Sequence, residues 1–168
     1  NFPPLAESGV HLKFNEHLIY QPKNKEKQLI VRKNLVDNVV VLKLFPGISE
    51  IVVDSVLNIP NLKGVVLETY GAGNAPNSVR FIKKLKEAIN KGIRIVNVSQ
   101  CKSGRVMMGH YDTSLLLKEI GVINGKDITT ESAIAKLMYL LNEKLTEEDF
   151  KTTYEKSLRG ELTDKYHF

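Results

Sequence analysis

Three short runs rich in β-branched residues alternate with segments of helical periodicity along the chain. The runs VVVLKLF, GVVLETYG and GIRIVNVSQ begin at residues 39, 64 and 92. Between the last two, Phe81, Leu85, Ala88 and Ile89 recur at helical spacing. Alternating strands and helices predict a parallel sheet with right-handed crossovers. We therefore expect a three-layer α/β domain, flavodoxin-like or Rossmann-like, with a small parallel sheet flanked by helices.

Two later segments carry recognisable helix starts. Thr129 is the expected N-cap of a helix that places Ala133, Leu137, Leu140 and Leu141 on one face. Thr146 stands three residues before Asp149, which makes an approximate capping box at the start of a final helix. Together with a short helix over DTSLLLKEIG that ends at Gly121, the sequence thus predicts three helices after the third strand.

The first 35 residues differ from the rest of the chain. They carry an early Pro-Pro pair, one alternating stretch at Val10, Leu12 and Phe14, and a lysine-rich stretch without periodicity. Such composition is typical of a linker. We expect residues 1–35 to be the end of an upstream domain with its connector, and residues 36–168 to form the α/β domain.

Composition excludes several classes of function. The net charge is +5, but the lysines are dispersed and no nucleic-acid signature accompanies them, so we expect no nucleic-acid partner. The apolar runs are far shorter than the roughly 20 residues of a membrane span, so we expect no membrane partner. The single cysteine forms no internal disulfide and fits a reducing compartment. Without HExxH, CxxC or calcium-loop spacing, we expect neither metal nor cofactor.

Polar loops follow the second and third strands, at residues 69–77 and 99–105. The carboxyl ends of parallel strands are where open α/β sheets bind ligands. The GAGN turn ends at Asn74, whose amide can donate and accept and so suits recognition of an amino acid. The alternatives are a tight turn that needs glycine and an Asx turn or helix cap at Asn74.

Cys101 follows the third strand, with Lys102 beside it. A nucleophilic cysteine needs a base, and His110 is the only histidine nearby in sequence. The residues leave three roles open for Cys101: a plain loop thiol, a ligand contact, or a nucleophile paired with His110.

Four ordered motifs together resemble the carboxyl-terminal domain of cytoplasmic, type I L-asparaginases. They are GVVLETYGAGNAP, IVNVSQCKSGRVMMGHYDTS, GVINGKDITTESAIAKLMYLL and the closing LRGELT. The resemblance implies hydrolysis of L-asparagine to L-aspartate and ammonia by a homodimer or a dimer of dimers in the cytoplasm. The family's nucleophilic threonine belongs to the amino-terminal domain, and no TGGTI-like or GTDT-like motif occurs in these 168 residues. We therefore expect no catalytic residue here and no activity from this chain alone.

The resemblance also assigns roles to the loops. Asn74 is similar to the residue that anchors substrate in the partner subunit's active site. Some bacterial members bind asparagine as an activator around the segment that matches Val98 to Cys101, which makes Glu68, Thr69, Ser99, Gln100 and Cys101 a candidate effector pocket. The family's arginine is replaced here by Glu68, which would repel a ligand carboxylate. We therefore expect a different effector, or none.

Two alternatives remain at the level of sequence. The ammonia-releasing subunit of archaeal glutamyl-tRNA amidotransferase carries a similar SQCxxGRV segment, although the ETYGAGNAP turn and LRGELT fit asparaginase better. A stand-alone amino-acid-binding module would also lack the nucleophile. An upstream region with the threonine motifs would exclude the module, and an additional tRNA-binding domain would favour the amidotransferase.

Overall fold

The computed structural model of the protein describes residues 3–19, 21, 30–102, 104–109 and 112–164. The strands are β1 Ala6–Ser8, β2 Leu12–Phe14, β3 Val39–Lys43, β4 Gly64–Thr69, β5 Arg94–Ser99 and β6 Ile123–Asn124. The helices are α1 Glu50–Leu57, α2 Val79–Asn90, α3 Asp112–Glu119, α4 Thr130–Leu141 and α5 Glu147–Tyr154, with a 3₁₀ turn at Glu16–Leu18.

The main sheet contains four parallel strands in the order β3-β4-β5-β6. Its register places Leu42 opposite Leu67 and Leu67 opposite Asn97. Because the order follows the chain, α1, α2 and α3 each connect two neighbouring parallel strands. The prediction of an α/β fold with a parallel sheet is confirmed.

Alternating side chains of the strands supply two separate cores. Val65, Leu67 and Ile95 pack with α1, α2 and α3 on one face of the sheet. Val66 and Val96 pack with α4 and α5 on the other face. Strands buried on both faces need nearly continuous apolar sequence, which β4 and β5 have. The result is the expected arrangement of three layers.

The predicted helix starts are confirmed. The side chain of Thr129 accepts a hydrogen bond from the backbone N–H of Ser132 at 3.3 Å. Thr146 accepts from the backbone N–H of Asp149, and its hydroxyl donates to the carboxylate of Asp149. Both threonines therefore satisfy amide donors that a helix leaves unpaired at its first turn.

Three strands were not anticipated from sequence. In the first segment, β1 and β2 form a hairpin in which Ala6 pairs with Phe14 and Ser8 with Leu12. β6 also escaped prediction because it has only two residues, paired with Val96 and Asn97 of β5. Such a short strand leaves no periodicity to read, and it is held by the neighbour it pairs with.

Candidate functional site

The turn after β4 is the most constrained loop at the carboxyl-terminal edge of the sheet. The backbone N–H groups of Gly73 and Asn74 donate to the carbonyl of Tyr70, and the N–H of Tyr70 donates to the carbonyl of Asn74. Gly71 and Gly73 have φ angles of +48° and +103°. A Cβ at Gly73 would lie 2.8 Å from Cγ1 of Val106, so this position needs glycine for space as well as for backbone conformation.

A buried polar network holds this turn against β5. Asn97 is fully buried, and its Nδ2 donates to the carbonyl of Gly73 at 3.1 Å. Its Oδ1 accepts a hydrogen bond from the hydroxyl of Thr69 at 2.6 Å. Ser99 donates from Oγ to the carbonyl of Gly71 at 2.6 Å. Each buried polar group therefore has a partner, which fixes the turn in one position.

The loop after β5 and the start of α3 complete the corner. The N–H of Met107 donates to the carbonyl of Ala72 at 2.9 Å, which joins the two loops. Thr113, in the first turn of α3, donates from Oγ1 to Oδ1 of Asn74 at 3.3 Å. We call the turn at residues 70–74 together with Thr113 the Asn74 corner.

The side chain of Asn74 is only partly engaged in hydrogen bonds within the protein. Its side chain is half-buried. Its carboxamide oxygen is engaged by Thr113, while within the described residues its NH₂ group has no partner. A polar group that is fixed by its surroundings and still has free donors is suited to contact a ligand.

A cavity of about 260 Å³ lies beside the start of α4. Four of the five predicted effector residues line it, namely Glu68, Ser99, Gln100 and Cys101. The other lining residues are Lys102, Thr129, Thr130 and Glu131. The fifth predicted residue, Thr69, is fully buried and lies outside this lining.

The polar groups of this cavity are largely occupied by the protein itself. The carboxylate of Glu68 accepts from the hydroxyl of Thr130 at 2.6 Å and lies 3.5 Å from Nζ of Lys43. The side-chain amide of Gln100 donates to the carbonyls of Leu44 and Glu68. The pKa of Glu131 is lowered by a hydrogen bond with its own backbone and by a second one with the side chain of Thr129. The carboxylate of Glu131 therefore adds negative charge to the cavity beside that of Glu68.

Cys101 is an exposed free thiol at the rim of this cavity. Its proposed partner His110 lies outside the described residues, so the pairing stays a prediction. Among the residues that the structure describes, no group of three or more His, Cys, Asp or Glu side chains is placed to hold a metal ion.

A second polar cluster ties the closing LRGELT segment to α4. Nζ of Lys136 donates to Glu161 at 2.6 Å and to the carbonyl of Lys156, and it lies 5.2 Å from the ring centre of Tyr154. The side chains of Lys136 and Glu161 are only 4% and 14% exposed. We call this ion pair the Lys136–Glu161 clamp.

The pKa values of the clamp show how burial and pairing compete. Burial lowers the pKa of Lys136, and the neighbouring carboxylate of Glu161 opposes that effect. Burial acts to raise the pKa of Glu161, but hydrogen bonds from Lys136 and from the N–H groups of Leu158 and Arg159 outweigh it and leave this pKa lowered. The contact of 2.6 Å pairs the two groups and ties the closing segment to α4.

Three important residues were missed by the sequence analysis. Asn97 stands inside the apolar run IVNVS, and Lys136 stands on the apolar face of α4 between Ala133 and Leu137. A polar residue on a buried face was a signal available for both. Thr113 gave none, because it meets Asn74 from 39 positions away.

Comparison with known proteins agrees with this architecture. Residues 38–154 match the glutaminase/asparaginase C-terminal domain family. The chain is 42% identical to L-asparaginase 1 of Escherichia coli strain K12 over 164 residues, which are 97% of this chain and 47% of that protein. It is 32% identical to a component of the glutamyl-tRNA(Gln) amidotransferase of Methanobrevibacter smithii over 166 residues, which are 98% of this chain and 37% of that protein.

A solved structure extends the likeness to three dimensions. The crystal structure of L-asparaginase I from Vibrio cholerae matches with a TM-score of 0.85 at 36% identity, covering 97% of this chain and 48% of that one. The chain spans about half the length of the asparaginases it matches. The family match and the fold agree, and the chain belongs to the glutaminase/asparaginase C-terminal domain family.

Proposed function

We propose that this chain is the carboxyl-terminal part of a two-domain L-asparaginase, which hydrolyses L-asparagine to L-aspartate and ammonia. The family and the likeness to asparaginases support this reading. The observation that carries the chain's own role is the half-buried carboxamide of Asn74, fixed on a rigid turn with its NH₂ group uncommitted within the described residues. The domain boundary would lie near residue 36.

In this proposal the amino-terminal half carries out the chemical steps, and the carboxyl-terminal half helps to position the substrate. A threonine of the amino-terminal half attacks the side-chain amide, an oxyanion is stabilised, and an acyl-enzyme is hydrolysed. Asn74 contributes by positioning the substrate in the partner subunit's site, because correct placement of the reacting groups lowers the barrier without any bond to this residue.

Exposed apolar side chains near the Asn74 corner support a homodimer or a dimer of dimers. Phe45 follows β3, and Ile51 and Val79 stand at the starts of α1 and α2, so all three lie at the carboxyl-terminal edge of the sheet. They are 52%, 77% and 86% exposed. Large apolar surface at a ligand-binding edge is typical of a protein interface.

Two features of the chain bear on where in the cell the enzyme is located. Within the described residues, no helix is both long and apolar enough to cross a membrane. The one cysteine of the chain, Cys101, is an exposed free thiol, which is compatible with the reducing cytoplasm. We propose a cytoplasmic enzyme.

The cavity beside α4 is proposed not to bind asparagine as an activator. Glu68 and Glu131 both line it, and either carboxylate would repel the carboxylate of an amino acid. The initial rate of the full-length enzyme should therefore rise hyperbolically with asparagine concentration. A sigmoidal curve would contradict this proposal.

The test of the proposed function is ammonia release from L-asparagine by the full-length protein, compared with the 168-residue chain. The full-length protein should be active and the chain alone inactive. Replacing Asn74 by Ala should lower kcat/KM by about 10- to 100-fold, the equivalent of one hydrogen bond to a charged group. Asn77→Ala, an exposed asparagine of the same loop, is the matched control and should change little.

The two alternatives give different results in the same assay. An amidotransferase subunit would release ammonia from glutamine, and its activity would depend on its tRNA and partner. A binding module would bind the amino acid and release nothing. If Asn74→Ala kept full activity, Asn74 would not be a substrate contact, even if the enzyme were an asparaginase.

A further inference from the structure

The carboxamide of Asn74 can face a ligand in two ways, and the structure favours one of them. We propose that Thr113 is a positioning residue that orients this carboxamide, so that its NH₂ group contacts an oxygen atom of the ligand. This inference rests on the proposed role of Asn74 as a substrate contact. Its basis is the hydrogen bond that Thr113 donates from Oγ1 to Oδ1 of Asn74 at 3.3 Å.

Both partners of this hydrogen bond stand on a fixed frame. The backbone of Asn74 is bonded in both directions to Tyr70, and the same turn is anchored to the buried amide of Asn97 through Gly73. Thr113 belongs to the first turn of α3, and the next residue, Ser114, accepts a hydrogen bond from the N–H of Gly109. The contact therefore joins two anchored elements.

The chemistry of the carboxamide then limits the ligand group. The oxygen of Asn74 can only accept, and its nitrogen can only donate. The oxygen end is turned towards the hydroxyl of Thr113, and the NH₂ end is the one without a partner among the described residues. Two donors repel, so an ammonium group is not the partner of this NH₂ end. The expected ligand group is a carboxylate or carboxamide oxygen of the amino-acid substrate.

Thr113→Val and Thr113→Ser in the full-length enzyme test this role. Valine has nearly the same shape without the donor, and we expect it to raise KM for L-asparagine by about 3- to 10-fold, as for one neutral hydrogen bond. Serine keeps the hydroxyl and should restore KM to within about twofold of the wild type. The melting temperature of each variant is measured as well. If Thr113 had only a structural role, the valine variant would have a lower melting temperature, and serine would not restore KM.

A double substitution shows whether Thr113 acts through Asn74. If it does, Thr113→Val should have no effect on KM in an enzyme that already carries Asn74→Ala. An equal loss in both backgrounds would overturn the proposal, because Thr113 would then act independently of Asn74.

The substitution Asn74→Asp tests which end of the amide meets the ligand. It keeps an acceptor for Thr113 and replaces the NH₂ group by a charged oxygen. We expect a larger loss of kcat/KM than with Asn74→Ala, since two oxygens would then face each other. A smaller loss than with Asn74→Ala would show that the ligand contacts an acceptor, and would overturn the inferred orientation.

Failure of this inference is distinguishable from failure of the proposed function. If Asn74→Ala leaves kcat/KM unchanged, the site itself is not the substrate contact. If Asn74→Ala lowers kcat/KM but Thr113→Val does not change KM, only the role of Thr113 is overturned.

Discussion

The Asn74 corner and the Lys136–Glu161 clamp are both polar clusters on a mostly apolar framework, yet they use their hydrogen bonds differently. In the clamp, Nζ of Lys136 meets a carboxylate and a carbonyl, and the carboxylate of Glu161 also accepts backbone N–H groups. Beside the corner, the nitrogen and the oxygen of the Asn97 carboxamide both have protein partners, whereas the NH₂ group of Asn74 has none among the described residues. Polar groups that the protein engages stabilise a fold, and fixed groups without a partner are available to bind.

Breaking the clamp should give the largest effect on stability. Lys136→Met leaves the carboxylate of Glu161 buried without its cation, which should lower the free energy of unfolding by about 3–5 kcal/mol. Urea denaturation of the variant and the wild type measures this loss. The proposed asparaginase activity, measured per folded full-length molecule, should stay the same.

An exposed ion pair provides the control for the clamp. Lys83 lies 3.9 Å from Glu87, and their side chains are 75% and 55% exposed. Lys83→Met should change the free energy of unfolding by less than about 0.5 kcal/mol. Equal losses for Lys136→Met and Lys83→Met would mean that the burial of the clamp has no energetic consequence.

Removing the buried amide of Asn97, which anchors the Asn74 corner, should have an intermediate effect. Asn97→Leu keeps a similar volume but leaves the buried carbonyl of Gly73 without its donor, at a cost of about 1–3 kcal/mol in the free energy of unfolding. Because the turn then loses its anchor, activity of the folded full-length enzyme should fall as well. Asn97→Leu should therefore lower both the free energy of unfolding and the activity, whereas Lys136→Met should lower the free energy of unfolding alone.

The control for Asn97 is an asparagine outside any buried network. Asn90 is the exposed last residue of α2, and Asn90→Leu should change the free energy of unfolding by less than about 0.5 kcal/mol. A stable but inactive Asn97→Leu variant would show that the network positions the turn without stabilising the domain.

The pH dependence of the clamp should give the smallest effect. The pKa of Glu161 is lowered below its ordinary value of 4.5 in the folded protein. Its contribution to stability is therefore complete above the unfolded value and is lost as the pH falls through the lower folded value. Denaturation at several pH values should show Glu161→Gln less stable than wild type near neutrality, with the difference shrinking in acid. A constant or widening difference would contradict the lowered pKa.

Local sequence predicted much of the fold and part of the site. The alternation of β-branched runs with helical segments gave the three layers, and Thr129 and Thr146 marked helix starts. The polar loops after β4 and β5 were predicted to lie at one edge of the sheet, and they contact each other there. Asn74 was singled out because its residue type and its place after a glycine turn were visible without tertiary information.

Other features could not be read from local sequence, because their causes lie far away along the chain. Lys136 is buried because Glu161, 25 positions later, returns to it. The cavity beside α4 is lined by Glu68 of β4 and by Thr130 at the start of α4, which are bonded to each other across 62 positions of the chain.

The sequence by itself determined the class of fold, the starts of two of its helices and the family to which the chain is similar, because these depend on periodicity, on capping residues and on ordered motifs. The tertiary structure decided which polar groups remain free. Asn74 and Asn97 are the same residue type in neighbouring loop and strand, but both ends of the Asn97 carboxamide have partners, Thr69 and Gly73, whereas among the residues described only the oxygen of Asn74 has one, Thr113. Hydrogen-bond satisfaction depends on partners brought together by folding.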